Sequence, residues 1–367
     1  MQKFVAVVIC LGCALPPSAL ATADRGTLLR RASELSGLAA RRPVPTTTLS
    51  GSRYDALLTR LLSRGYPRSL RRADGRLQTL LGLTARPARA RAGVSRAWYD
   101  AGARRLLVRR APKPRQASVV HELVRALVDQ NFGLARITGL RARDRDHALA
   151  ATAIVDGTAA LASRLRPSRA QENPLERFLQ LEREAGLGPG RALAAELRYL
   201  GGRAALASAL RGFPQTTEQL LHVDKFLERE RALAVRLPGS IADARLSMSE
   251  TFGELHVRNL LQAFGAPRAA AVASGWGGGR LALYRSGGGD AAALVLRWDT
   301  PKDAAEWRGV VEHYVAAAFG GSVARDCPPL DRCWSGPAEV AAGVLGTRSV
   351  LVTGGDADRL ASALLGG

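Results

Sequence analysis

Apolar positions along this chain recur first at helical spacing. Tyr54, Leu57, Leu58, Leu61 and Leu62 fall on one helix face, Ser50 or Ser52 can cap it, and 25–83 reads as helical throughout. The Arg/Ala/Pro-rich stretch 85–94 reads as a linker or exposed loop. Ala97-Trp98-Tyr99-Asp100, a turn at Ala101-Gly102 and Leu106-Leu107-Val108 predict a short hairpin. No Gly or Pro interrupts 116–131, and Val120, Leu123, Val124 and Leu127 give that helix its apolar cover. A second long helix is expected over 145–165, stopped by Pro167. Helical patterns continue over 175–210, broken between Gly186 and Gly190, and another helix opens near Thr217 with Thr216 or Thr217 as its cap.

After Pro238 the pattern changes. It predicts a helix over 249–264, strands at 269–273, 280–284 and 293–298, a helix over 301–319, strands at 340–345 and 349–353, and a final helix. The run Gly277-Gly278-Gly279 has no Lys-Ser/Thr after it and lies between strand-like segments, so it reads as a tight turn and not as a phosphate loop. The fold class expected is α+β: a mainly helical domain with a short edge hairpin, then a smaller α+β domain with an antiparallel sheet. The corresponding segments are 1–21, 22–90, 91–238 and 239–367.

At 367 residues and 47% hydrophobic content the chain can bury a substantial core. It carries 53 Lys and Arg against 32 Asp and Glu, a net charge of +21, and all but four of the cations are arginine. This skew, with abundant alanine, looks more like a coding bias than a designed basic face, although the charge favours polyanions. Only 5% of residues are aromatic, and no basic stretch is interleaved with aromatics, which argues against nucleic acid as a partner.

The first segment reads as a signal peptide: Lys3, an apolar run from Phe4 to Leu15, a break at Pro16-Pro17, and small-residue cleavage sites at Ala19-Leu20-Ala21 or Ala21-Thr22-Ala23. A secreted or cell-envelope location follows, with no transmembrane helix once that segment is removed. Cys10 and Cys13 leave with it. The remaining pair, Cys327 and Cys333, closes a short Pro-containing loop and reads as a disulfide, not a metal site.

His121 and Arg125 are four residues apart, so on a helix they project from one face, with Glu122 one step round. At that spacing in zinc peptidases two histidines bind the metal, and the glutamate is general base to the zinc-bound water. The surrounding stretch from Val119-Val120-His121-Glu122 through Asp129-Gln130-Asn131-Phe132-Gly133-Leu134 resembles the zinc helix of bacterial exported HExxH-type, gluzincin-like metallopeptidase-like proteins, whose second histidine precedes an Ala-Leu-x-Asp-Gln run. Trp98-Tyr99-Asp100 through Val108 is similar to that family's edge hairpin. Ala153-Ile154-Val155-Asp156-Gly157-Thr158-Ala159 is similar to its second-helix segment with a Glu-Gly pair, and Thr217-Glu218-Gln219-Leu220-Leu221-His222 and Gly275-Trp276-Gly277-Gly278-Gly279-Arg280 follow in the same order. The resemblance spans 33–305. It implies a zincin-like helical domain and peptide hydrolysis, with His121 as first ligand, Glu122 as base and Asp156 as third ligand in place of glutamate. It also brings His222 to the border of the site, as a ligand, as a donor to a developing oxyanion, or as a structural histidine. His147, His256 and His313 lack ligand-like spacing and read as packing or surface residues.

Three departures bear on function. Arg125 cannot ligate a metal, because a guanidinium has no free lone pair and stays protonated. Asp156 can ligate, with a reach shorter by about 1.5 Å. Gly279 stands where the family carries an acidic residue. Arg125 is expected either to fill the vacated metal space, pairing with Glu122 or Asp156, or to point to solvent. The leading reading is a homologue that has lost zinc-dependent hydrolysis, holds no cofactor, and binds an unidentified protein or peptide. The second is a working zinc hydrolase built on His121, Asp156 and His222 with Glu122 as base. The third, compatible with the first, is a surface protein that binds an anionic cell-wall polymer.

Overall fold

The computed structural model describes residues 19–64, 66–85, 96–110, 116–241 and 243–366. The apolar run of the expected signal peptide and nearly all of the Arg/Ala/Pro-rich stretch lie outside the described residues. The first half comprises α1 (Ala19–Ser36), β1 (Thr46–Leu49), α2 (Gly51–Arg64), α3 (Arg68–Leu80), β2 (Ala97–Asp100), β3 (Arg105–Arg109), α4 (Gln116–Phe132), α5 (Leu140–Arg143), α6 (Arg145–Ser163), α7 (Pro174–Arg183), a π-helical turn (Gly186–Gly190), α8 (Arg191–Arg211), α9 (Thr217–Leu221) and α10 (Val223–Glu228). The second half follows with β4 (Ser240–Ile241), β5 (Ala244–Thr251), α11 (Glu254–Ala263), α12 (Ala269–Ala273), β6 (Trp276–Ser286), β7 (Gly289–Trp298), α13 (Pro301–Ala318), β8 (Val323–Cys327), β9 (Leu330–Ser335), β10 (Val340–Leu345), β11 (Arg348–Gly354) and α14 (Ala357–Leu365). The fold is therefore α+β, a helical region followed by an antiparallel sheet. No helix among the described residues is long and apolar enough to cross a membrane.

Eight strands in the order β4-β5-β6-β7-β11-β10-β9-β8 form the sheet, every neighbour antiparallel. Because strand side chains alternate, Leu281 and Leu283 of β6 pack with α11, α12 and α13, whereas Ala282 and Tyr284 pack on the other face with Leu360 and Leu364 of α14. The first of these cores also takes Leu77, Leu81 and Leu83 from α3 and the loop after it, and Leu175 and Phe178 from α7. Two hydrogen bonds fix that docking: Tyr314 Oη donates to the Leu81 carbonyl (2.8 Å) and Thr353 Oγ1 to the Leu80 carbonyl (2.7 Å). Packing thus carries residues from the segments 22–90 and 91–238 into the core of the sheet.

Several local expectations change. The stretch 25–83, read as helical, is interrupted by the strand β1 (Thr46–Leu49), which pairs in parallel with β3, its three threonines being β-branched strand formers. The stretch 249–264 is the end of a strand and then a helix: β5 pairs with β6 as far as Thr251, and α11 starts at Glu254. Between them Gly253 passes so close to Asp146 that a Cβ would overlap its carboxylate. The alanine-rich 269–273, expected as a strand, is the helix α12; alanine is the best helix former, and so short an apolar run has no decisive period. Gly277 to Gly279 form no turn but lie inside β6, beside a bulge between Trp276 and Gly278. The Leu233 carbonyl packs on Gly278 and the Phe252 carbonyl on Gly279, leaving no space for side chains. The unanticipated hairpin β8–β9 is closed by the expected Cys327–Cys333 disulfide.

A buried ionic network ties the helical half to the sheet. Arg145, 6% exposed at the start of α6, donates to Glu182 of α7 and Glu250 of β5 at 2.7 Å each and lies 3.9 Å from Asp74 of α3. Next to it, Asp146 accepts from the Thr217 N–H (2.8 Å), the Thr217 hydroxyl (2.6 Å) and His256 Nδ1 (3.2 Å), while His256 Nε2 lies 3.3 Å from Glu182. Burial opposes the charge on Glu182, but Arg145 and His256 outweigh it and hold that carboxyl well below its ordinary range. Removing one partner of a buried pair strands the others without compensation. Arg145→Met is therefore expected to lower the unfolding free energy by about 3–5 kcal/mol in urea titrations, and Arg285→Met, whose partner Asp290 is met at the surface, by about 0–1 kcal/mol. Equal losses in the two variants would refute the central role of Arg145.

Candidate functional site

The site forms where α4, the edge strand β2 and α6 meet. α4 is buried almost all round: Val119, Val120, Leu123, Val124 and Leu127 pack against α1, β3 and the end of α6, while Ala126 and Val128 face Tyr99 and the middle of α6. His121 and Glu122, 7% and 6% exposed, are thereby carried into the interior. The polar residues that follow them on α4 are staples. Asp129 accepts from the Tyr99 hydroxyl (2.8 Å) and the Leu134 N–H (2.7 Å), Gln130 accepts from the Arg41 N–H (2.9 Å), and Asn131 donates to the Ala39 carbonyl (2.8 Å). The Asp-Gln-Asn part of the motif thus holds the preceding chain on α4 and touches no reacting group.

Arg125 turns inward. Its Nη1 donates to Asp156 Oδ1 across the α4–α6 seam, its Nε lies 3.5 Å from Glu122 Oε2 on its own helix, and its guanidinium sits 5.4 Å from the Trp98 ring centroid. The alternative of a solvent-facing arginine is thereby overturned. Glu122 Oε2 also accepts from the Tyr99 N–H of β2 at 2.8 Å, and Glu122 Oε1 lies 3.4 Å from His121 Nδ1. Burial disfavours both ions of this pair, yet their mutual attraction prevails: Glu122 is held below its ordinary pKa by Arg125 and His121, and Arg125 is raised by Asp156 and Glu122.

Asp156 owes its place to glycines. A Cβ on Gly157 or Gly190 would overlap the backbone of the facing segment, and one on Gly186 would overlap the Asp156 side chain, so the turn Gly186–Gly190 lies backbone-to-backbone against α6 at Ala153 to Gly157. The Asp-Gly step of the second-helix motif meets that close approach on one side and Arg125 on the other.

A tetrahedral zinc site needs three protein ligands with free lone pairs and, for hydrolysis, a base aimed at the metal-bound water. Here Asp156 is bonded to a guanidinium, Glu122 is shared between Arg125 and the β2 backbone, and the atom left over is His121 Nε2, buried without a hydrogen-bond partner. His222 does not join them: its Nε2 bonds the buried Glu254 at 2.9 Å, and that hydrogen bond raises the imidazole pKa despite partial burial. As placed, these residues do not form a zinc donor set.

Two other polar centres had no clear mark in the sequence. His256, read as an ordinary packing residue, is clasped by Asp146 and Glu182. Lys225 places its Nζ 2.5 Å from Glu218, 3.0 Å from Glu230 and 3.0 Å from Asp299, the three carboxylates whose oxygens lie within 4.8 Å of one another. Gly277 belongs to this second centre, since a Cβ there would press on Asp299 at 2.7 Å. The motif around Glu218 and the glycine run thus converge on an ammonium ion, away from Arg125. Gly279, read as a lost acidic position, has no room for a carboxylate between the Phe252 carbonyl, Leu296 and the Trp276 indole.

Residues 244–363 match a protein family described as a domain of unknown function (DUF8575). The match covers β5 to α14 and includes neither α4 nor α6. No curated protein and no solved structure matches the chain.

Replacing Arg125 leaves Glu122 and Asp156 facing each other uncompensated. Arg125→Met is expected to cost about 3 kcal/mol at pH 7, less as pH falls below the ordinary glutamate value of 4.5 and the stability contributed by the lowered Glu122 pKa is lost, and to be partly rescued by Asp156→Asn, all read from denaturation midpoints. A loss unchanged with pH and unaffected by Asp156→Asn would show that it does not come from these ion pairs. At the second centre, burial pushes the Glu218 carboxyl up to about 7 against the attraction of Lys225. A raised folded-state pKa means the unfolded chain releases this proton first, so the contribution is most favourable below pH 4.5 and is lost as pH rises to about 7. Glu218→Gln should remove that downward slope from the stability profile between these values; an unchanged slope would assign it to other groups.

Proposed function

We propose that this chain is an exported metallopeptidase-like protein in which zinc-dependent peptide hydrolysis has been lost and which acts by binding a protein or peptide partner. One observation carries the reading. The residues that correspond to the base and the third ligand of the family resemblance, Glu122 and Asp156, are both taken up by Arg125, and Glu122 is further held by the β2 backbone. A guanidinium supplies the positive charge that two buried carboxylates require: its Nη1 hydrogen-bonds Asp156, and its Nε stands at ion-pair distance, 3.5 Å, from Glu122. It offers no open coordination position and cannot lower the pKa of a bound water, the two properties on which zinc hydrolysis rests.

The surrounding architecture supports retention of a scaffold without its chemistry. The helix pair, the edge hairpin and the glycine contact that positions Asp156 are all in place, and the arginine joins them as a fixed internal cation. What such a scaffold keeps is shape and surface, which is the basis for assigning a binding role.

Metal content tests this. Purified chain analysed by inductively coupled plasma mass spectrometry is expected to hold far less than one zinc per molecule, and Arg125→His is expected to gain zinc that the parent lacks. One tightly held zinc per parent chain, lost on His121→Ala, would overturn the proposal in favour of an active hydrolase.

A further inference from the structure

We propose that the cavity between α1, the first turn of α4 and the last turn of α6 is an oxyanion-binding site, built for the phosphate or carboxylate group of a small ligand. The inference goes beyond the reading of Arg125 and does not depend on it. α4 and α6 run antiparallel, since Arg125 meets Asp156 while Ala117 and Ser163 line one cavity, so the start of one helix lies beside the end of the other. The cavity is about 220 Å³ in volume, with Leu35, Val120 and Ala162 among its apolar walls and no acidic residue in its lining among the described residues.

Three features point to an anion. Arg31 of α1 and Arg164 both line the cavity, are exposed, and form no ion pair with a carboxylate among the described residues, in a structure where most buried cations are paired. The first turn of α4, a helix of 17 residues, contributes Gln116 and Ala117; the leading N–H groups of a helix have no intrahelical acceptor and carry the positive end of its dipole.

The third feature is Ser163. It lines the cavity and is 8% exposed, and its Oγ is buried with no hydrogen-bond partner. Neighbouring helical hydroxyls behave differently: Thr158 donates to the Ile154 carbonyl at 2.8 Å and Ser36 to the Ala32 carbonyl at 2.6 Å. A buried hydroxyl left unbonded is destabilising, and an oxygen of a ligand in the cavity would give it a partner. The last turn of α6 also reaches this place, ending in the left-handed residue Arg164, whose N–H closes on the Ala160 carbonyl at 2.9 Å. The volume exceeds that of an inorganic oxyanion alone, so the group would enter as part of a small molecule or a chain end. Ala117 precedes His121 by one turn, about 6 Å along the axis, which places such a ligand at the mouth of the seam that holds Arg125.

The test is thermal unfolding and calorimetric titration of the purified chain with inorganic phosphate and with acetate at constant ionic strength, chloride serving as reference. Saturable stabilisation by at least one of the two is expected, and the tighter of the two identifies the group. Arg31→Gln/Arg164→Gln should weaken it by about ten-fold or more, the loss of charge-assisted hydrogen bonds, and Ser163→Ala by a smaller factor. Arg60→Gln/Arg64→Gln, which removes equal charge from the exposed end of α2, should leave it unchanged. If neither anion stabilises the parent, or if the two double variants lose the effect equally, the site does not exist and the anion response belongs to the diffuse charge of the chain.

Discussion

The structure depends on one buried guanidinium. Arg145 stands at the first residue of α6 and gathers Glu182, Glu250 and, at longer range, Asp74, which come from α7, β5 and α3. These elements are far apart in sequence, so the interaction fixes where the helical half meets the sheet. Hydrophobic packing alone is nondirectional and would tolerate several placements of α3 and α7 on that face. A charge that must be met in a low-dielectric interior admits few. Asp146, one residue on, extends the constraint by binding Thr217 and His256, and Gly253 is the residue that lets the chain pass at that distance.

The same physics recurs at two further points. Arg125 between Glu122 and Asp156, and Lys225 among Glu218, Glu230 and Asp299, each place a side-chain cation inside a set of carboxylates. Sets of this kind hold metal ions in other settings, because each needs a compensating positive charge. A cation tethered to the chain meets that need without dissociating, and it brings no Lewis acidity. At the α4–α6 seam the compensating charge for Glu122 and Asp156 comes from Arg125, a residue of the chain itself.

The resemblance-bearing motifs therefore divide by role. Asp129, Gln130 and Asn131 bind backbone and tyrosine groups, Gly157 admits a neighbouring backbone, and the glycines of β6 admit the carbonyls of Leu233 and Phe252. Each serves close packing or backbone satisfaction, and each would be needed whether or not the chain carried out catalysis. The oxyanion cavity at the start of α4 shares Val120 with those motifs and takes its polar lining from outside them. Its residues come from three helices, and nothing in their local sequence links them.

Periodicity and breakers in the sequence were enough to place α4, α6, the β2–β3 hairpin, the strands β6, β7, β10 and β11 of the large sheet and the Cys327–Cys333 bond, because those features follow from local spacing, from the absence of Gly or Pro, or from an even pair of cysteines in a short loop. The i, i+4 spacing also put Arg125 on one face with His121, and the chemistry of guanidinium ruled it out as a ligand. Local pattern failed where the partner is distant. The alanine run 269–273 has no period long enough to separate helix from strand; the glycines 277–279 look like a turn until the carbonyls packed on them are seen; and His222 and His256 carry no sign in their neighbours that they face Glu254, Asp146 and Glu182. The sequence by itself determined the long uninterrupted helices α4 and α6, the β2–β3 hairpin and the inability of Arg125 to hold a metal. Only the tertiary structure decided that Arg125 turns inward to Asp156, that Lys225 occupies the acidic cluster and that Arg31, Ser163 and Arg164 share one cavity. Compensation of buried charge depends on groups brought together through space, and chain order does not encode that proximity.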